Sequence, residues 1–290
     1  AEASAAAREV FQEVDEALGQ NLSKLMREGP EDALTLTENA QPAIMANAIA
    51  VLRVLEKEGG IVLADKADFV AGHSLGEYTA LCAAGAFSLS DTARLLKLRG
   101  LSMQAAVPVG IGAMAALLGA DIEKAQALAE AAAEGEVCTV ANDNDPTQVV
   151  LSGHKAAIER AIAMVKDFGI KRGMALPVSA PFHCALMKPA EEKLGPFLDA
   201  APFADLAVPV VTNVDVLANL SGAEAREALR RQVCSPVRWV ETVQRLSRDT
   251  EGAIEVGPGT VLAGLAKRIA KDWPVRTTSD AEGIGKLLAG

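Results

Sequence analysis

The sequence predicts an α/β fold with a mostly parallel sheet, into which a smaller α+β unit is inserted. Short apolar runs bounded by Gly, Pro or Asn alternate with longer segments of helical periodicity. Between residues 110 and 178 this rhythm changes, and four short strands share the segment with two helices. Half of the 290 residues are hydrophobic but only 3% are aromatic, which is enough for one large aliphatic core and a second, smaller one.

The large domain is predicted over residues 1–109 and 179–290. Its alternation of strand and helix is typical of a sheet covered by helices. Helices are predicted within 1–60 and over 75–84, 88–106, 222–233, 238–248 and 260–271, and strands over 68–71, 208–212 and 253–256.

The inserted unit is predicted over residues 110–178. Its elements follow in the order βαββαβ, which is typical of the ferredoxin-like fold. The strands are predicted over 113–118, 137–141, 148–152 and 173–178, and the helices over 121–133 and 155–168. The run Asn-Asp-Asn-Asp-Pro at 142–146 predicts a turn-rich link between the two middle strands.

Charge and composition exclude several function classes. The net charge is −10, whereas a nucleic-acid-binding protein carries a basic stripe. No apolar run reaches 18 residues without a charge or a turn residue, so no membrane span is predicted. The four cysteines are widely spaced, which favours free thiols over a disulfide framework or a metal site. The chain runs into a helical pattern without a signal peptide, and we expect a cytoplasmic protein.

The segment 72–76, Gly-His-Ser-Leu-Gly, follows a predicted strand and precedes a predicted helix. A Gly-x-Ser-x-Gly sequence in that context is typical of a nucleophile elbow and indicates a hydrolase-like large domain. Ser74 is then the nucleophile, and the backbone amide of Leu75 at the helix start can donate to an oxyanion. The alternative is a chance occurrence of the pattern in a loop.

A serine nucleophile needs a base, and the sequence contains three histidines. The side chain of His73 should point away from that of its neighbour Ser74, which favours a structural role. His154 opens a predicted helix, where a surface or capping role is expected. His183, just past a predicted strand, is therefore the candidate base. No acidic residue between Ser74 and His183 follows a core strand convincingly, so the sequence favours a Ser–His dyad over a triad.

Several motifs together resemble the malonyl-CoA:acyl carrier protein transacylase family, over nearly the whole chain. They are Gly72-His73-Ser74-Leu75-Gly76-Glu77-Tyr78, Leu98-Arg99-Gly100-x-x-Met103-Gln104, Asn142-x-Asn144-x-Pro146-x-Gln148-Val149-Val150, Pro181-Phe182-His183-Cys184-Ala185-Leu186-Met187, Asn213-Val214-Asp215 and Glu255-Val256-Gly257-Pro258-Gly259.

The resemblance implies a role for each matching residue. Ser74 would carry the acyl group and His183 would be its base, oriented by the backbone carbonyl of Gln232. Arg99 would hold the malonyl carboxylate, a task that suits the planar guanidinium; without the resemblance it would be interpreted as a solvated helix charge. The other substrate-binding positions that the resemblance indicates are Met103, Asn142, Asn144 and Phe182. For Met103 a place in the core, and for the two asparagines simple turn chemistry, stay open as alternatives.

The implied reaction moves a malonyl group from malonyl-CoA to the phosphopantetheine thiol of acyl carrier protein, for fatty-acid synthesis. Coenzyme A enters as a thioester substrate, and neither a metal nor another cofactor is expected. The residue before the base, Phe182, is similar to the malonyl-type pattern. A serine hydrolase or thioesterase is the first alternative, because the elbow alone would allow it.

The sequence departs from the family at its start. The family begins with a strand that ends in a Gly-Gln-Gly-Ser/Gln-Gln motif, and its first glutamine flanks the catalytic serine. This sequence begins with a helix, and we expect that strand to be missing from it. A non-catalytic module that binds acyl carrier protein is therefore the second alternative.

Overall fold

The computed structural model describes residues 4–178 and 180–288. It contains fourteen α-helices in this part of the chain: α1 Ala5–Leu18, α2 Leu22–Glu28, α3 Glu31–Leu34, α4 Thr37–Lys57, α5 Leu63–Lys66, α6 Leu75–Ala83, α7 Leu89–Ala105, α8 Ile122–Ala133, α9 Lys155–Met164, α10 Lys188–Ala200, α11 Gly222–Gln232, α12 Trp239–Asp249, α13 Val261–Ile269 and α14 Ala281–Leu288. One 3₁₀ turn, Ala185–Met187, precedes α10.

Ten strands pair into three sheets within the described residues: β1 Val70–Ala71, β2 Gly112–Leu118, β3 Cys138–Asp145, β4 Gln148–His154, β5 Arg172–Ala175, β6 Val210–Val211, β7 Ala218–Asn219, β8 Val237–Arg238, β9 Ala253–Val256 and β10 Val275–Thr278. The orders are β1-β6-β7, β10-β9 and β5-β2-β4-β3-β8. The pairs β1–β6, β9–β10 and β3–β8 are parallel, and the remaining pairs are antiparallel. The predicted α/β class is therefore confirmed, but the sheets are mixed rather than mostly parallel, with four antiparallel pairs and three parallel ones among the described residues.

The main core is aliphatic, as the composition predicts. The long helix α4 packs against α1 and α7, and fully buried side chains such as Met45, Ile49 and Leu96 fill the space between them. Gly100 on α7 allows the close approach, because a Cβ there would lie 2.5 Å from the Cα of Glu38 on α4. This packing buries the face of α7 that carries Arg99.

A second core lies under the antiparallel part of the five-stranded sheet. Helices α8 and α9 cover β2, β3 and β4, and Leu117, Leu128, Leu151 and Ile158 are buried between them. Asp121 caps α8 by accepting from the amide of Lys124. The predicted order of strands and helices over 113–175 is thus present in the structure.

Two features of this sheet differ from the sequence-based expectation. The predicted link at 142–146 is mostly strand, because β3 continues to Asp145 through register shifts after Val140 and Asp143 that accommodate the extra residues. In addition, β8 pairs with β3 at Asn142–Val237 and Asp143–Arg238. A strand from the C-terminal part of the chain thereby extends the sheet of the inserted unit.

The outer limits of the two predicted domains partly fall outside the described residues. Residue 179, where the large domain is predicted to resume, is one such position, and residues 1–3 and 289–290 are the others. The division into two domains at these limits stays a prediction.

Candidate active site

The nucleophile elbow is a tight, strained turn. Ser74 lies between β1 and α6 with φ 53° and ψ −108°, a conformation that L-residues rarely adopt. Gly72 has to be glycine, since a Cβ there would lie 2.0 Å from the carbonyl of Gly76. His183 also has a positive φ, 58°. Such backbone strain persists only where the surroundings enforce it, and it is concentrated at functional sites.

The serine and the histidine are directly hydrogen-bonded. Ser74 Oγ lies 2.7 Å from His183 Nε2, and His183 Nδ1 lies 3.1 Å from the carbonyl oxygens of both Gln232 and Ser235. Because a carbonyl only accepts, Nδ1 carries the proton and Nε2 offers its lone pair to the serine hydroxyl. The two carbonyls occupy the place that a carboxylate takes in a Ser-His-Asp triad.

The imidazole of His183 is held in its neutral form. Burial first, and then the positive charge of Arg99, lower its pKa to about 3 against the two carbonyl hydrogen bonds that raise it. A neutral imidazole can accept the serine proton over the whole physiological pH range.

Arg99 is 1% exposed and reaches the nucleophile from helix α7. Its guanidinium donates to Gln41 Oε1 at 2.7 Å, and to Ser74 Oγ and Gln232 Oε1 at 3.0 Å each. It also lies over the ring of Tyr78, 5.4 Å from the ring centroid. Its Nε is buried and has no hydrogen-bond partner within the described part of the chain.

These contacts leave the charge of Arg99 without a carboxylate at salt-bridge distance among residues 4–178 and 180–288. A buried guanidinium surrounded by neutral oxygens beside a nucleophile is suited to bind an anionic group on the substrate. Solvation of this side chain on a helix surface, the alternative interpretation of the sequence, is excluded by its burial.

The first turn of α6 provides one backbone donor beside the nucleophile. The amide of Ser74 donates to Asn213 Oδ1 at 2.7 Å, and the amides of Gly76 and Glu77 donate to the carbonyls of His73 and Ser74. The amide of Leu75 begins the helix, where an intrahelical acceptor is geometrically out of reach. It is the donor that this turn can offer to an oxyanion.

The remaining predicted site residues lie around this centre in different ways. Met103 is buried, accepts a hydrogen bond from Gln41 Nε2 at its sulfur (3.7 Å), and shares an apolar cluster with half-buried Phe182. Asn144 Oδ1 accepts a hydrogen bond from His73 Nε2 at 2.9 Å. Asn142 is 8% exposed and lies on β3 opposite Val237 of β8. Turn chemistry therefore does not describe the two asparagines.

The other two histidines have structural surroundings. His73 packs edge-on against Trp239 at 5.4 Å between ring centroids and contacts Asn144, so it joins the elbow to the five-stranded sheet. His154 ends β4, and its Nδ1 accepts from the amide of Val137 at 2.9 Å.

Besides the backbone carbonyl of Ser235, three buried polar side chains of the site were not singled out by the sequence analysis. Gln41, Asn213 and Glu77 are all less than 5% exposed, and each contacts Arg99, Ser74 or Gln232. Gln41 could have been noticed as a polar residue in the apolar helix α4. Asn213 and Glu77 lie within the quoted motifs, but the motifs alone do not say which atoms they contact.

Metal-binding clusters and membrane-spanning helices are both absent from the described residues. No group of three or more His, Cys, Asp or Glu side chains there is arranged to hold a metal ion. In the same part of the chain, no helix combines the length and the apolar character needed to cross a membrane.

Known proteins similar to this chain share its full extent. The model of the acyl transferase domain family matches residues 1–288. The malonyl CoA-acyl carrier protein transacylase of Escherichia coli (strain K12) is 47% identical over 281 residues, which cover 97% of this chain and 90% of the relative. The protein of that name from Bacillus subtilis (strain 168) is 45% identical over 281 residues, 96% of this chain and 87% of the relative.

Solved structures agree with the sequence comparison. An acyl-carrier-protein-S-malonyltransferase from Bartonella henselae superposes with a TM-score of 0.96 at 47% identity, covering all of this chain and 93% of that one. A malonyl-transacylase solved in complex with its type II PKS acyl-carrier protein superposes with a TM-score of 0.94 at 41% identity, covering 99% and 92% of the two chains.

Proposed function

The chain belongs to the acyl transferase domain family, and from this membership we propose that it transfers a malonyl group from malonyl-CoA to the phosphopantetheine thiol of acyl carrier protein. It is an enzyme, an S-malonyltransferase. The observation that carries the proposal is the buried Arg99 guanidinium, 3.0 Å from a serine that is itself 2.7 Å from a neutral histidine. A plain esterase needs the serine and the histidine but has no use for a buried cation beside them.

In the first half-reaction the serine is acylated. His183 Nε2 takes the proton of the Ser74 hydroxyl as Oγ attacks the thioester carbonyl of malonyl-CoA. The tetrahedral oxyanion accepts from the Leu75 amide at the start of α6. The C–S bond then breaks, and His183 returns its proton to the departing coenzyme A thiolate, which leaves a malonyl ester on Ser74.

The second half-reaction repeats these steps in reverse with another thiol. His183 accepts the proton of the phosphopantetheine thiol, whose sulfur attacks the ester carbonyl. The Ser74 oxygen leaves and recovers the proton from His183. The chain's own residues supply every step, and no metal or additional cofactor is part of the proposal.

The most direct test of this function is mass spectrometry of the protein after mixing with malonyl-CoA. We expect a malonyl adduct on Ser74 that disappears when acyl carrier protein with a free phosphopantetheine thiol is added, with malonyl carrier protein as the product. Release of free malonate faster than transfer would instead identify a hydrolase. Absence of any adduct would identify a non-catalytic binding module.

Arg99→Ala is expected to lower kcat/KM for malonyl-CoA by about 10²-fold, because truncating one partner of a buried ionic contact costs about 2–5 kcal/mol. The kcat/KM for acetyl-CoA should not fall to the same extent, because an acetyl group has no carboxylate. The preference for malonyl-CoA over acetyl-CoA should therefore be lost. The matched control is Arg94→Ala, five residues earlier on α7, where the side chain is 57% exposed and pairs with Asp91. An unchanged malonyl preference in Arg99→Ala would contradict the proposed role.

The proposal includes the architecture around the site. We interpret residues 110–178 as a ferredoxin-like unit inserted into a hydrolase-like large domain. The antiparallel order β5-β2-β4-β3 and the two helices packed on this sheet support that interpretation. The unit supplies Asn142 and Asn144, so the substrate cleft would lie between it and the elbow. Fatty-acid synthesis in the cytoplasm is the setting we propose for the reaction.

A further inference from the structure

Glu77 is a fully buried carboxylate directly beneath the elbow. It occupies the third position of α6, and the sequence Ser74-Leu75-Gly76-Glu77 matches the capping box, in which the serine hydroxyl and the glutamate carboxylate each bond a backbone amide of the first turn. The structure makes neither bond. Ser74 Oγ contacts His183 and Arg99, and the Ser74 amide donates to Asn213. The carboxylate is therefore free for a different task.

The carboxylate contacts the two residues that hold the site together. Glu77 Oε2 accepts from Gln232 Nε2 at 2.8 Å and from the backbone amide of Asn213 at 3.0 Å. The same Gln232 amide also donates to the Ser74 carbonyl at 3.0 Å. Since its nitrogen is directed to these acceptors, its oxygen faces Arg99, 3.0 Å from Nη2.

This orientation matters because a side-chain amide has one donor end and one acceptor end. If the Gln232 amide were reversed, its NH₂ group would face the guanidinium, and two donors would oppose each other. Glu77 Oε2 opposes the reversal, because it already accepts from the Asn213 amide and a reversed Gln232 amide would place a second oxygen against it. Only the Gln232 amide thus separates the Glu77 carboxylate from the Arg99 guanidinium, and all three residues are 1% exposed or less.

Burial works against the charge of the Glu77 carboxylate. Burial, with a small contribution from the charge of Asp215, raises the pKa of Glu77 to about 7 against the opposing effect of the hydrogen bonds from Asn213 and Gln232 and of the charge of Arg99. Its Oε1 is buried without a hydrogen-bond partner in the described residues. A carboxylate placed here for helix capping alone would be unfavourable, which points to a role at the site.

We propose that Glu77 is a positioning residue that fixes the Gln232 side-chain amide and thereby holds Arg99 in place for the carboxylate of the acyl group. This role rests on the proposed function, in which Arg99 binds that carboxylate. In this role Glu77 determines the selectivity for a carboxylated acyl group and not the chemistry at Ser74.

The test compares kcat/KM for malonyl-CoA and acetyl-CoA in three variants. Glu77→Leu removes the acceptor, and Glu77→Asp withdraws it by one methylene while keeping the charge. Both should lower the malonyl-to-acetyl ratio by about tenfold, the size expected for loss of a hydrogen bond to a charged group. Glu77→Gln keeps an acceptor oxygen for Gln232 Nε2 and should stay within about threefold of the parent ratio. If the Leu variant does not fold, the Asp and Gln variants carry the test.

A double-mutant cycle asks whether Glu77 acts through Gln232. Glu77→Leu combined with Gln232→Leu should show the same malonyl-to-acetyl ratio as Gln232→Leu alone. Asp145→Asn is the matched control: this side chain is also 0% exposed, and the hydrogen bonds that the described residues give it come from Arg268 at 2.7 Å and from Thr147, not from Gln232 or Arg99. We expect that variant to lose thermal stability and keep the ratio.

The outcomes separate the inference from the proposed function. Unchanged ratios in both Glu77→Leu and Glu77→Asp would overturn the positioning role, and so would additive effects in the cycle. Equal losses in the Gln and Leu variants would also overturn it, since charge rather than the amide contact would then matter. A parent protein that forms no malonyl adduct on Ser74 would instead refute the proposed function.

Discussion

Ser74→Ala is expected to abolish the malonyl adduct and to lower kcat for transfer by about 10⁴–10⁶-fold, the range seen when the nucleophile of a covalent mechanism is removed. The reason is geometric: Ser74 Oγ is the oxygen that lies 2.7 Å from His183 Nε2 and 3.0 Å from Arg99 Nη2. Without this oxygen no covalent intermediate can form, and both partners lose a hydrogen bond.

The measurement is intact-protein mass spectrometry together with the transfer rate to acyl carrier protein. Ser102→Ala is the matched control, because Ser102 is also buried and its Oγ has no hydrogen-bond partner in the described residues. That variant should form the adduct at the parent rate. A Ser74→Ala protein that still accepts a malonyl group would refute the assignment of the nucleophile.

His183→Ala is expected to lower kcat/KM by about 10⁴-fold, near the upper limit for a general base that also activates a nucleophile. The alanine leaves the serine proton without an acceptor, and the carbonyls of Gln232 and Ser235 lose their shared donor. His154→Ala is the control, since His154 lies at the end of β4 and its Nδ1 accepts from the backbone amide of Val137. A His183→Ala protein within tenfold of the parent would show that another group is the base.

The pH dependence of kcat/KM is a second test of the role of His183 as the base. The base must be neutral, so activity is lost as the pH falls through the pKa of His183 and not as it rises. Because burial and Arg99 lower this pKa to about 3, no acidic limb is expected near the ordinary histidine value of 6.5. In Arg99→Ala the nearby positive charge is gone, and the acidic limb should move to higher pH. A limb near 6.5 in the parent would show that His183 is more exposed to solvent than the structure has it.

Local sequence chemistry was sufficient to predict the elbow. Gly72 permits a turn in which a Cβ would clash with the Gly76 carbonyl, and apolar residues flank the turn on both sides. His183 followed from elimination among three histidines, which works only because the chain has so few. The first inference depends on a short stretch of sequence, and the second depends on the small number of histidines.

Contacts between distant segments could not be predicted in this way. Gln41 and Arg99 are 58 residues apart and meet because α4 and α7 pack side by side. The match of Ser74 and Glu77 to a capping box would have assigned both side chains to helix capping, whereas tertiary contacts use them at the site. The strand pairing of Asn142 likewise depends on Val237, a partner 95 positions later, and a two-residue strand has almost no sequence signal.

The pairing of β3 with β8 has a consequence for the order in which parts of the protein can fold during synthesis. Synthesis proceeds from the N-terminus, so β3 is an unpaired edge until residues 237–238 have left the exit tunnel. Asp145, at the end of β3, cannot form its ion pair until Arg268 has also been synthesised. The part of the sheet that carries Asn142 and Asn144 is therefore completed late, after the elbow and its helix have been made. Nascent chains arrested before residue 237 should be the form most exposed to strand-mediated aggregation.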